Sequence, residues 1–172
     1  MARPRAANPG TRNRILAAAS EEFAALGFAA TTVDRIARRA RVNKAMIYYH
    51  FPSKRALYTC IIRDTFTPIA ERLRTAAAED APPDRKLARL IDALVRSVDR
   101  STHFLPIFLR EIADGGAHLG PDELVLIASV FAAVSGVVIE GETQNVFQPI
   151  HPALAHFTLV APSRSTGHRQ LT

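Results

Sequence analysis

The 172-residue sequence has a single cysteine, Cys60, and therefore cannot form an internal disulfide bond. Its first residues lack the apolar core of a secretory signal, so a cytoplasmic protein is expected. A glycine-rich phosphate loop, a nucleophile elbow and a spaced carboxylate pair are also missing, and neither an enzyme nor a cofactor is predicted. The histidines lack metal-ligand spacing, since His151 and His156 have no acidic or cysteine neighbour, and no metal site is expected.

Long hydrophobic runs are also scarce. The uncharged stretch Leu124–Ile139 has 16 residues, fewer than the roughly 20 that cross a bilayer, and Ser129, Ser135 and Gly136 interrupt it. It is predicted to be a buried core or interface helix, and no membrane contact is expected.

Positive charge is abundant and unevenly distributed. The net charge is +6, but residues 1–60 carry eleven Lys and Arg against three acids, which gives +8 there and −2 over the rest. This asymmetry favours contact between the N-terminal part and a polyanion. Charge alone does not choose between DNA, RNA and an anionic membrane surface.

Apolar residues recur at helical spacing, and no segment sustains the alternation of a strand, so the predicted fold class is all-α. In the N-terminal third the predicted helices are Pro9–Leu26, ended by Gly27, then Thr32–Ala40 and Lys44–His50. A fourth helix is predicted to have Ser53 as its N-cap and to run to Pro68 or beyond. Further helices are predicted from Pro82, over Phe104–Ile112 before Gly115 and Gly116, from Pro121 to about Gly141, and from Pro152.

Two of the short helices form a predicted helix-turn-helix, the unit whose second helix enters the major groove of DNA. Thr31, followed three residues later by Asp34, resembles a capping box and is the predicted N-cap of the first of them. Asn43 is the predicted N-cap of the second, whose outward-facing first residues Lys44–Met46 are predicted to read base edges ahead of the apolar Ile47.

The segment from Phe28 to Leu57 resembles the signature of the TetR (tetracycline-repressor) family of bacterial regulators. The matching residues stand at the family's spacing and are Phe28, Thr31, Thr32, Ile36, Ala37, Val42, Ile47, Tyr48, Tyr49, His50, Phe51, Ser53, Lys54 and Leu57. The resemblance implies a repressor that binds palindromic double-stranded DNA as a homodimer and releases it when a small-molecule effector binds. It also implies an N-terminal three-helix DNA-binding domain over residues 11–71 and an α-helical ligand-binding and dimerisation domain over residues 72–161.

The predicted DNA-binding residues are Thr31, Thr32, Arg41, Asn43, Lys44, Ala45, Met46, Tyr48, Tyr49, His50 and Lys54. Among them, Lys44, Ala45 and Met46 match family positions that face bases, whereas Thr32, Tyr48, Tyr49 and Lys54 match positions that touch phosphates. Arg3 and Arg5 belong either to a disordered tail, which is favoured, or to an arm in the minor groove.

The sequence departs from the family pattern at Arg41 and Ala45, where glycine is common. A non-glycine residue with a positive φ costs about 1–2 kcal/mol, so Arg41 is expected to strain the turn while adding a cation beside the DNA.

The predicted effector-binding residues are Phe104, Phe108, Arg110 and Phe131. For the aromatic rings, a core role and a place in the ligand cavity remain equally open. For Arg110, Glu111 and Asp114, a solvated face is favoured over a role as polar anchors of a ligand.

After Val160 the sequence becomes polar and basic, and residues 162–172 are predicted to form a disordered tail. The resembled family continues there through two apolar helices that pair the subunits. A shortened C-terminus predicts an exposed apolar patch on the Leu124–Ile139 helix and a weakened homodimer. The alternatives are a degenerate homologue that binds DNA weakly, and a ligand-binding or interaction protein that does not bind DNA.

Overall fold

The computed structural model describes residues 9–100 and 102–148, and within these ranges the chain is all-α, as predicted, without a strand. Seven helices occupy the described ranges: α1 (Pro9–Ala30), α2 (Val33–Ala40), α3 (Lys44–His50), α4 (Lys54–Ala77), α5 (Pro83–Arg100), α6 (Phe104–Ala113) and α7 (Pro121–Thr143). Arg3 and Arg5, the helix expected from Pro152, His151, His156 and the tail over 162–172 lie outside the described residues.

The helices α1, α2 and α3, together with the first turns of α4, form a unit that we call the head. Its core is made of side chains spaced at helical intervals, and Ile15, Phe23, Ile36, Ile47 and Leu57 are almost fully buried in it. Each of the short helices turns one side towards this core, which explains the apolar periodicity of their sequences.

The first helix is interrupted at Gly27, which has φ 77° and ψ 174°. Glycine adopts this positive φ without the steric penalty of a Cβ atom. Gly27 breaks the helix at the predicted position. The chain then makes one more helical turn, through Ala30, before α2 begins.

Two of the three predicted N-caps are confirmed. Asn43 Oδ1 accepts a hydrogen bond from the Met46 N–H at 2.8 Å, and Ser53 Oγ accepts one from the Ala56 N–H at 3.0 Å. The prediction for Thr31 is wrong by one residue, because Thr32 Oγ1 caps α2 by accepting from the Arg35 N–H at 3.3 Å.

The long helix α4 connects the head to the remainder of the chain. It continues through Pro68 because Phe66, Ile69 and Leu73 on its inner side are buried against neighbouring helices. The predicted domain boundary between residues 71 and 72 therefore falls inside a continuous helix, which both parts share.

The apolar helix α7 packs along α4 and α5 through Val130, Val134, Val137 and Val138. By length and composition it is the one helix in the described ranges that could cross a membrane, and 28% of its most apolar 18-residue stretch is buried in the fold. Leu124 and Val125 near its start and Ile139 near its end are exposed, and an apolar patch that joins them stays a prediction.

Candidate nucleic-acid interface

Helix α3 exposes nearly its whole surface. Lys44 and Ala45 are exposed, and so are the large side chains of Met46, Tyr48 and Tyr49, at 39%, 47% and 63% of their full accessibility. Only Ile47 points into the core. An exposed strip of thioether and phenol side chains on a short helix is typical of a recognition surface.

The position of α3 is fixed from both ends. At its start, the Asn43 side chain caps the helix, and at its end the Phe51 N–H donates to the Ile47 carbonyl at 2.8 Å. Ile47 and Phe51 are both buried, so the helix is anchored by two apolar side chains as well. Its exposed side chains are therefore presented on a rigid support.

The turn between α2 and α3 contains the strained residue that the sequence predicts. Arg41 has φ 54° and ψ 47°, the left-handed conformation, and it ends α2 by donating its N–H to the Arg38 carbonyl at 3.2 Å. The Val42 N–H donates to the Ala37 carbonyl at 3.0 Å, which completes a helix-ending motif usually built with glycine. The Arg41 side chain is exposed beside α3.

The predicted base-reading residue Lys44 is already paired within the chain. Its Nζ lies 3.0 Å from Asp34 Oδ2, and this hydrogen bond is the main reason that the pKa of Lys44 is raised. Both side chains are about half exposed, and such surface pairs contribute little to stability. Lys44 therefore exchanges partners at little cost when an anion or a base approaches.

A buried carboxylate that the sequence did not reveal joins α1 to α2. Glu22 accepts hydrogen bonds from Arg35 Nε and Arg39 Nε, each at 2.7 Å, and Arg39 also pairs with Glu21. The hydrogen bond from Arg35 is the largest cause that holds the pKa of Glu22 below its ordinary value. Two of the arginines on α2 are therefore paired with an acid, and all three arginines of this helix, Arg38 included, are exposed.

The two adjacent threonines have different environments. Thr31 is fully buried, and its hydroxyl lies 2.7 Å from the Gly27 carbonyl and 3.0 Å from the Glu22 carbonyl. The prediction that Thr31 contacts DNA is wrong for this structure, because its hydroxyl fastens the end of α1 instead. Thr32 is exposed at the start of α2 and keeps its hydroxyl proton available for an acceptor.

The structure also corrects the role expected of Lys54. Its Nζ donates to the carbonyls of Phe28, at 2.8 Å, and Thr31, at 2.9 Å, and lies 4.3 Å from the centre of the Phe28 ring. Burial lowers the pKa of Lys54. Two of the three ammonium protons thus hold the segment between α1 and α2, and the side chain does not extend towards the surface of α3.

His50, also predicted to contact DNA, turns part of its ring inward. Its Nε2 atom is buried and has no hydrogen-bond partner among the described residues. The ring packs against Tyr49, with centroids 5.2 Å apart, and against Phe51. The predicted contact between His50 and DNA stays a prediction.

Three of the four predicted effector-binding residues come together away from the head. Phe104, Phe108 and Phe131 line a small cavity of about 100 Å³, which Phe66 and Leu94 complete together with Val95, Val98, Leu105, Val130 and Val134. This lining is entirely apolar. Phe104 and Phe108 are also buried in the core, and the role of the rings in binding an effector stays a prediction.

Arg110 does not line this cavity, and its role as an effector-binding residue stays a prediction. Its guanidinium donates to the carbonyls of Ala24, at 3.2 Å, and Ala25, at 2.7 Å, and so links α6 to the end of α1. The solvated face expected for Glu111 is wrong. Glu111 is only 3% exposed, and one of its oxygens accepts from the Tyr58 hydroxyl at 2.5 Å.

Comparison with known proteins identifies a matching family and several similar proteins. Residues 15–59, which cover most of the head, match the family described as "Bacterial regulatory proteins, tetR family". The chain is 29% identical over 163 residues to the HTH-type transcriptional regulator RutR of Escherichia coli K12, covering 88% of this chain and 75% of the relative. It is 24% identical over 140 residues to the HTH-type transcriptional repressor NicS of Pseudomonas putida KT2440, covering 80% and 66%.

A solved structure has the same architecture. The TetR family transcriptional regulator PfmR from Thermus thermophilus superimposes with a TM-score of 0.70 at 25% identity, over 87% of this chain and 80% of that one. The likeness thus extends from the head through the helices that surround the apolar cavity.

Proposed function

Since the chain belongs to the tetR family of bacterial regulatory proteins and is a DNA-binding transcriptional regulator, we propose that it represses transcription by inserting α3 into the major groove of a palindromic operator. The observation that carries this proposal is the exposure of Met46, Tyr48 and Tyr49 on a helix anchored by buried Ile47 and Phe51. The N-terminal residues of a recognition helix contact base edges, which assigns base reading to Lys44, Ala45 and Met46.

Contacts to the DNA backbone are assigned to groups around α3. The Thr32 hydroxyl is at the N-terminus of α2, where a phosphate is favoured by the free backbone N–H groups. The Tyr48 and Tyr49 hydroxyls flank the reading residues on α3 itself, and Arg41 adds an exposed cation from the preceding turn. Asn43 contributes by capping α3.

The apolar cavity is the proposed effector site. Its lining offers rings and aliphatic side chains without a charged group, which suits an apolar small molecule. About 100 Å³ is small for such a ligand, so binding is expected to displace the helices around it. Two of those helices, α4 and α6, also contact the head. In the cavity, α4 contributes Phe66 and α6 contributes Phe108.

A displacement of these helices would reach the head through identified hydrogen bonds. Lys54 at the start of α4 and Arg110 near the end of α6 both donate to carbonyls at the end of α1. An effector that separates α4 from α6 therefore changes the position of α1, to which α2 is bound through Glu22. In a homodimer, such a shift alters the spacing of the two α3 helices, which must match half-sites roughly 34–36 Å apart.

The proposal is tested by titrating labelled DNA with the purified protein and measuring fluorescence anisotropy at several salt concentrations. The upstream region of the protein's own gene is compared with a shuffled sequence of equal length. We expect at least about a thousandfold tighter binding to the upstream region, together with strong salt dependence. Equal affinity for both DNAs would identify a weakly binding degenerate homologue, and no binding to either would favour a ligand-binding protein.

A substitution at Met46 tests the assignment of base reading. Met46→Gln is expected to change the preferred bases while binding to shuffled DNA stays the same, because the side chain is exposed and carries no charge. The matched control is Ile91→Gln, an equally exposed apolar position on α5, away from α3. An unchanged base preference in Met46→Gln would show that Met46 does not contact the bases.

A further inference from the structure

We propose that Glu111, Asp114 and His118 form a binding site for a divalent transition-metal ion such as Zn²⁺. Glu111 lies near the end of α6, Asp114 is its C-cap, and His118 follows in the loop before α7. One ligand atom from each side chain lies within 4.8 Å of the other two. His118 Nδ1 is 3.2 Å from Glu111 Oε1 and 3.6 Å from Asp114 Oδ2. Ligands that each bind an ion at about 2.0–2.2 Å have this mutual spacing.

The state of Glu111 is the second observation that points to a cation. The side chain is 97% buried, since only 3% is exposed, and Oε1 accepts from the Tyr58 hydroxyl. Its other oxygen, Oε2, is buried without a hydrogen-bond partner among the described residues. A buried carboxylate oxygen without a partner is costly, and such groups are normally paired or coordinate a metal. An ion that the Glu111 carboxylate binds through both of its oxygens, together with His118 and Asp114, would supply a partner for Oε2.

The surroundings of the three residues are those of an oriented ligand set. The Tyr58 hydroxyl fixes the Glu111 carboxylate, and the His118 ring packs on the Phe28 ring with centroids 4.7 Å apart. The His118 carbonyl accepts from Arg55 Nη1 at 3.1 Å, which holds the loop in place. Partners of this kind orient metal ligands and raise the affinity of a site.

The donor set and its exposure indicate the class of ion. One imidazole nitrogen with two carboxylates suits Zn²⁺, Co²⁺ or Mn²⁺ better than Ca²⁺, which prefers six to eight oxygens. Asp114 is 48% exposed, so an ion has a path from solvent and room to keep a water ligand. The two carboxylates neutralise the dication while His118 binds in its neutral form.

The site lies where α6 meets the head, because Phe28, Arg55 and Tyr58 all belong to the head and contact it. A bound ion would therefore fasten the α6–α7 loop to α6 and, through it, to the end of α1. Any effect of the ion on DNA affinity rests on the function proposed above, whereas binding of the ion itself does not.

The test uses the full chain without DNA, prepared with chelator and then titrated with Zn²⁺ by isothermal calorimetry. We expect one ion per chain in this site, and a Tm that rises with Zn²⁺ concentration. In His118→Ala and in Asp114→Asn the affinity is expected to fall by about tenfold or more. The control is His103→Ala, which removes a partly exposed imidazole at the opposite end of α6. Co²⁺ gives a second readout, since its visible absorption reports a nitrogen and oxygen ligand set.

Each outcome of this experiment decides the proposal. Equal Zn²⁺ affinity in the wild type, His118→Ala and Asp114→Asn would place the bound ion elsewhere in the chain and overturn the assignment. An absence of Zn²⁺, Co²⁺ and Mn²⁺ binding would overturn it as well. Circular dichroism shows whether each variant is folded, and because Asp114 is exposed, Asp114→Asn keeps the test valid even if replacing His118 disturbs the loop.

Discussion

Replacing Lys54 with methionine separates a structural role of this residue from a role in DNA contact. The structure places its Nζ against the carbonyls of Phe28 and Thr31 and over the Phe28 ring. Methionine keeps the unbranched apolar stem and removes the ammonium group. The expected result is a head that is less stable but, while folded, binds DNA with an unchanged salt dependence.

The magnitude follows from the contacts that are lost. A hydrogen bond from a charged donor contributes about 1.5–3 kcal/mol, and a cation over an exposed ring about 0.5–1 kcal/mol. Because Phe28 is only partly buried, water can replace Nζ at one of the carbonyls and recover part of this loss. A destabilisation of about 2 kcal/mol remains, which for a chain of this length lowers Tm by about 4–8 °C.

The assay combines thermal unfolding by circular dichroism with the salt dependence of DNA binding. The control is Arg38→Met, which removes an exposed cation from α2 and should leave Tm within about 2 °C because surface substitutions of this kind are nearly neutral. If Lys54→Met keeps the wild-type Tm and lowers the slope of log K against log salt by about one, Lys54 contacts a phosphate and the structural role is refuted.

Three further substitutions test the geometry of the chain. Arg41→Gly should raise stability in urea by up to about 1 kcal/mol, because it removes the left-handed strain at φ 54°, and a loss of stability would show that the turn is not strained. The pKa of Glu22 is lowered, so its ion pairs stabilise the fold above the ordinary pKa of 4.5, and this stability is lost as pH falls through the folded pKa. Glu22→Gln should therefore flatten the decline of the urea midpoint between pH 7 and 3. Parallel plots of urea midpoint against pH for wild type and variant would contradict this. Gly120→Ala would bring a Cβ to 2.7 Å from Glu123 Oε2 and should cost about 1 kcal/mol in urea unfolding, because this oxygen must move from the Gly120 N–H to which it is hydrogen-bonded, whereas Gly136→Ala, where the Cβ meets no atom within 4 Å, should not.

The parts of the head that the sequence predicts correctly depend on local patterns. Asn43 and Ser53 can be recognised as N-caps in the sequence because each side chain accepts a hydrogen bond from the backbone N–H three residues later. The outward direction of Met46 follows from the single buried position of α3, Ile47, by helical periodicity. At Thr31 and Thr32 the same reasoning misses by one residue, because either hydroxyl can cap and only tertiary packing decides which one is buried.

The residues whose contacts the sequence does not predict have partners far away in the chain. Lys54 contacts residues 26 and 23 positions earlier, and Arg110 contacts residues 86 and 85 positions earlier. No periodicity relates such positions, so a cation near a DNA-binding motif is naturally taken for a DNA contact. Glu111 is a further example, in which an acid is buried instead of exposed. An acid on an amphipathic helix is expected to face solvent unless a distant group, here the Tyr58 hydroxyl, forms a hydrogen bond with it.

These distant contacts have a common physical origin at the end of α1. A helix leaves its last carbonyls without intrahelical partners, and the break at Gly27 adds to the number that must be satisfied. Lys54 and Arg110 supply donors there, and a cation at a helix C-terminus is also favoured by the helix dipole. Because α4 and α6 carry these two cations and also place Phe66 and Phe108 in the cavity, the proposed mechanism requires that a change in the cavity reach the head through the end of α1.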